Sequence, residues 1–170
     1  MANDTSDIRS TLNDLIETCK DGEEGFRTAA TKLKDSSIRT QFDQYANERA
    51  RFASELQSQV AQIGGEPATS GSTSAALHRG WIGLKSALTG ESDHAILAEA
   101  ERGEDVAVKN YRDALSKDLP SDIRSTIETQ YRSVQQAHNT VRSLRDAAQS
   151  ASNATSGSTS SNMSGTTRTY

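Results

Sequence analysis

The chain has 170 residues, enough for one domain with a real core and a tail, and 33% of them are hydrophobic. Its formal net charge of −4 comes without a basic cluster, which sets aside a nucleic-acid surface, and no apolar run approaches the ~20 residues of a membrane span. Met1 to Asp7 is polar and acidic, unlike a secretory signal, and the single cysteine, Cys19, has no partner for an internal disulfide. These features lead to the expectation of a cytoplasmic location.

The first apolar rhythm runs through Ile8, Leu12, Leu15, Cys19, Phe26, Ala30 and Leu33. Its steps of three and four predict a helix with one buried stripe. A second such helix follows almost at once, with Ile38, Phe42, Tyr45, Phe52, Leu56, Val60 and Ile63, and ends at Gly64-Gly65. The turn near Lys34-Asp35 is so short that the two helices must form an antiparallel hairpin. A long link from Gly64 to Gly90 comes next. Within it Leu77, Trp81, Leu84 and Leu88 predict a short amphipathic helix over 74–88.

The third helix carries Ile96, Ala100, Ala107, Tyr111 and Leu115; the fourth carries Ile123, Ile127, Tyr131, Val134, Val141 and Leu144. Asp118 to Pro120 separates them and makes a second hairpin. Ser6, Ser36, Ser92 and Ser121 are the predicted N-caps, each followed closely by the first apolar residue. No segment alternates with period two, so the fold class is all-α. Two antiparallel hairpins joined by one long crossover form the ferritin-like variant of the four-helix bundle. The bundle is expected over residues 1–148. Residues 149–170 are rich in Ser, Thr, Asn and Ala, and are expected to be a disordered tail.

Each predicted stripe is interrupted by an ionisable residue near mid-length. Glu23 lies four after Cys19 and three before Phe26; Glu48 lies three after Tyr45 and four before Phe52. Glu104 lies between Ala100 and Ala107, and His138 between Val134 and Val141. Buried charges must be paired, neutralised or metal-bound, so Glu23, Glu48, Glu104 and His138 are the candidate metal ligands, with iron or manganese as the candidate ion. A dinuclear carboxylate bundle would need Glu-x-x-His on two helices. Here Glu48 is followed at that spacing by Arg51, and His138 is preceded by Gln135. The other reading of the same residues is a hydrogen-bonded network in which Arg49 or Arg51 neutralises the carboxylates and His138 donates to one.

Three runs resemble a known family: Leu12 to Phe26 (LNDLIETCKDGEEGF), Leu77-His78-Arg79-Gly80-Trp81 with Leu84-Lys85, and Glu101-Arg102-Gly103-Glu104-Asp105. The chain resembles, over Ile8 to Ala148, the bacterial ferritin-like four-helix family known as domain of unknown function 2383. That resemblance implies the ferritin-like fold and a bacterial, cytoplasmic setting, and it brings no reaction. The resulting expectation is a non-catalytic, stress-associated structural or interaction protein. It would form homo-oligomers, with no bound cofactor and no nucleic-acid or membrane partner. The rival expectation is a metal-binding bundle using the four residues named above.

Overall fold

The computed structural model describes residues 2–69 and 92–158. Among them the secondary structure is all helical: α1 (Ala2–Ala30), α2 (Ser36–Gln62), α3 (Asp93–Leu115) and α4 (Ser121–Ser158). The short helix expected over 74–88, with His78 and Trp81, lies outside the described residues.

Of the predicted serine caps, Ser92 holds the N-cap position of α3, whereas Ser6, Ser36 and Ser121 lie within their helices. Asp35 caps α2, its Oδ1 accepting from the backbone N–H of Ser37 at 2.8 Å and Ile38 at 3.2 Å, which leaves Ser36 as the first helical residue. α1 begins before Ser6. Ser92 precedes α3 in extended conformation without a side-chain capping bond. α2 stops in a Schellman turn: Gly65 N–H reaches the Val60 carbonyl at 2.9 Å and Gly64 N–H that of Ala61 at 3.0 Å. Gly64 sits at φ 72°, the left-handed conformation that glycine alone adopts without a Cβ penalty. At the far end α4 continues to Ser158, ten residues past the expected end of the bundle at 148. Gln149 to Ser156 are exposed.

Side-chain pairs fix the helix directions. Thr11 meets Lys117 and Thr18 meets Asn110, so α1 and α3 run antiparallel. Arg27 meets Asn47 within the α1–α2 hairpin. Tyr111 meets Gln130, and Arg145 meets Glu101, within the α3–α4 hairpin. Gln59 meets Thr126 and Glu55 meets Gln130, which makes α2 antiparallel to α4. It follows that α2 and α3 point the same way. α2 ends where Gly65 lies against Arg9 near the start of α1, whereas α3 begins where Asp93 accepts from the Lys34 N–H at 3.1 Å. The chain leaving α2 turns back along α1: Asn13 Nδ2 donates to the Glu66 carbonyl at 3.3 Å, Asn13 Oδ1 accepts from the Ala68 N–H at 2.8 Å, and Lys20 Nζ donates to the Ala68 carbonyl at 3.0 Å.

The core divides into two clusters along the bundle. One gathers Leu12, Leu15, Ile16 and Cys19 of α1 with Phe52, Leu56 and Val60 of α2, Tyr111 of α3 and Ile127 of α4. The other gathers Phe26, Ala29 and Leu33 with Phe42, Ala46, Ile96, Leu97 and Val141. On every helix the break falls at one level: residues 20–25, 47–51, 101–106 and 135–140. A polar layer occupies that level.

Candidate functional site

The polar layer is where the four expected ligands sit, yet only one of them points inward. Glu104 is fully buried on α3. On the other helices the inward position belongs to the neighbouring residue. Gly22 is buried beside Glu23, Arg49 beside Glu48 and Ala137 beside His138. One residue along a helix is a rotation of about 100°, enough to move a side chain from the seam to its flank.

Arg49 fills the centre. It is 1% exposed, and its Nη2 donates to Glu104 Oε2 at 2.6 Å. Its Nη1 lies 3.5 Å from Glu48 Oε1, at the edge of the layer. Gly22 makes room for the arginine stem: a Cβ there would come within 3.3 Å of Arg49 Cγ. Burial pushes the Glu104 carboxyl above its ordinary range, and the adjacent guanidinium offsets part of that rise.

The remaining expected ligands have other partners. Glu23 accepts from Arg27 at 3.0 Å on the surface of α1. His138 Nε2 lies 2.8 Å from Asp105 Oδ1, on the flank of the α3–α4 pair. Arg51, expected to intrude on the centre, is exposed and leans on Glu55 at 3.7 Å. Among the described residues no three His, Cys, Asp or Glu side chains converge to hold a metal ion.

A second polar chain lies within the larger apolar cluster. Tyr111 Oη donates to Gln130 Oε1 at 2.8 Å, and Gln130 Nε2 donates to Glu55 Oε2 at 2.8 Å. With its own proton engaged, Tyr111 Oη is left to accept from the Cys19 thiol at 3.1 Å. Burial pushes the Cys19 thiol up to about 11 and the Tyr111 phenol well above its ordinary value. Both groups are therefore neutral at physiological pH, and the thiol has little nucleophilic character.

Residues 7–117 match the family described as Domain of unknown function (DUF2383). The chain belongs to this family. The DUF2383 match runs from the first turns of α1 to just beyond α3, so it contains Gly22, Arg49 and Glu104. It stops short of Ala148, and Gln130 and His138 on α4 lie beyond it. No curated protein matches the chain.

Sequence reasoning missed Gln130 and named Arg49 only as one of two arginines able to neutralise the carboxylates, although both carried a signal. Gln130 lies three after Ile127 and four before Val134, squarely on the α4 stripe. Arg49 lies three after Ala46 and three before Phe52. Glu48 was placed by its distance from Tyr45, which is only half-buried, whereas Arg49 follows the fully buried Ala46.

Proposed function

We propose that this DUF2383 chain is a non-catalytic ferritin-like bundle with a structural or protein-interaction role, self-associating in solution. The observation that carries the reading is the Arg49–Glu104 pair. Among the described residues, the one carboxylate that reaches the bundle centre is committed to an internal guanidinium. That arrangement does not fit a metal ion: a positive charge already stands where the ion would go, and Glu23 and His138 are engaged elsewhere. Among the described residues nothing else at that level brings a nucleophile and a base together, and Cys19 is held as a neutral thiol.

The ferritin-like crossover belongs to the same proposal. It is supported by the shared direction of α2 and α3 and by their start and end points at opposite ends of the bundle. The return of residues 66–68 along α1 supports it further. Among the described residues no helix is long and apolar enough to cross a membrane.

Two assays on the purified protein test the role. Size-exclusion chromatography with light scattering should give a defined oligomer. Incubation with hydrogen peroxide or ferrous iron should give no turnover above the protein-free rate. Peroxide-dependent or ferroxidase turnover that vanishes in Glu104→Gln would contradict it.

A further inference from the structure

Arg49 is surrounded by more than its ion pair. Its guanidinium carbon lies 5.9 Å from the Phe26 ring centroid and 5.8 Å from that of Phe52, so rings from α1 and α2 both attend it. Glu104 supplies a fully buried carboxylate from α3, and Glu48 a second one from the rim. Among the described residues Glu104 Oε1 and Arg49 Nε and Nη1 are buried without a hydrogen-bond partner, so the site has unspent capacity for both donors and acceptors.

We infer that the middle of the bundle is a socket for a planar organic cation, and that Arg49 is the cation it holds. Aromatic faces attract weakly hydrated, delocalised cations through the ring quadrupole, and a carboxylate edge matches the guanidinium fork. A hard divalent ion asks for six or more oxygen ligands, of which two carboxylates supply at most four and the two aromatic rings none. The socket therefore selects by shape and hydration as well as by charge. Truncating Arg49 would leave the Glu104 carboxylate buried without its counter-charge beside the Phe26 and Phe52 rings. That variant should take up a free guanidinium-type ligand from solution. The inference rests on the centre being closed by Arg49 rather than by a metal, and it adds the ligand class the centre recognises.

The test is chemical rescue of Arg49→Ala, followed by thermal unfolding in millimolar methylguanidinium chloride, manganese chloride or sodium chloride at matched ionic strength. Methylguanidinium should raise the midpoint of Arg49→Ala by about 3 °C or more over the sodium control. Wild type, with its socket filled, should show no rise, nor should the Arg49→Ala/Glu104→Gln double variant. If Arg49→Ala is unfolded without ligand, the same titration is read as recovery of helical circular dichroism, again dependent on Glu104. Absence of rescue, or equal rescue without Glu104, overturns the socket and leaves the proposed function standing. Equal rescue by manganese overturns the preference for a planar cation. Manganese bound by wild type itself, and lost in Glu104→Gln, overturns the proposed function instead.

Discussion

Arg49 of α2 donates to Glu104 of α3 across 2.6 Å, and each side chain is 1% exposed. The pair joins the two helices that run the same way, at the level where the apolar core is interrupted. Removing one partner strands the other as a buried charge, which costs about 3–5 kcal/mol, whereas replacing both with apolar residues is often neutral or stabilising. Glu104→Gln should lose stability in that range by urea unfolding. Arg49→Met/Glu104→Leu should recover most or all of it. A double variant as unstable as the sum of the singles would show that the two charges act independently.

Gly22 gives a second test of the same layer. Alanine in a helix interior is favoured over glycine by about 1 kcal/mol. Here its Cβ would press on Arg49 Cγ at 3.3 Å, and the arginine is held at its backbone and at its guanidinium. Overpacking of this kind costs about 1–3 kcal/mol, so Gly22→Ala should be neutral to destabilising in wild type. In an Arg49→Ala background the same change should stabilise. Equal effects in the two backgrounds would break the link between Gly22 and Arg49.

Cys19 sets an alkaline limit on stability. Its thiol is raised from 9.0 to about 11 in the folded protein. Unfolded chains therefore lose this proton first as pH rises. The stabilising contribution is full below pH 9.0 and is lost between there and about 11, at a limiting slope of ~1.4 kcal/mol per pH unit. Cys19→Ala should flatten that part of the pH–stability curve while lowering stability at neutral pH. The native thiol should also resist alkylation at pH 8 until the protein unfolds. Fast labelling of folded protein would contradict its burial.

Tyr111→Phe removes the shared hydroxyl between Cys19 and Gln130. Gln130 Oε1 then lacks its 2.8 Å donor in a buried setting, at a cost of about 1–3 kcal/mol. Urea unfolding measures it, and a loss well under that range would mean the amide finds another partner.

Gly64→Ala tests the Schellman turn alone, because no atom lies within 4 Å of the added Cβ. The cost is then purely that of a left-handed backbone, about 1–2 kcal/mol. A neutral result would show that the turn relaxes to another conformation.

The helices and the level of the polar layer were legible in the sequence, because steps of three and four make one face apolar and the interruptions coincide. The occupants of the layer were not. At Glu23, Glu48 and His138 the adjacent residue takes the seam, and apolar spacing locates a stripe only to within about one residue, or 100°. Arg49 and Arg51 were equal candidates to neutralise the carboxylates; two rings and a carboxylate bury Arg49, whereas Arg51 is exposed. Helix ends depended on local competition. Asp35 outbids Ser36 as a cap because its carboxylate reaches two backbone donors. The extension of α4 past 148 had no apolar pattern to announce it, since Gln149 to Ser156 are exposed.

The most direct test of the central claim is metal content per chain, measured by elemental analysis of protein purified without chelators and then equilibrated with manganese and ferrous iron. With Arg49 holding the bundle centre, the protein should carry well under one ion per chain, unchanged in Glu104→Gln. One ion per chain in wild type, lost in that variant, would contradict the account.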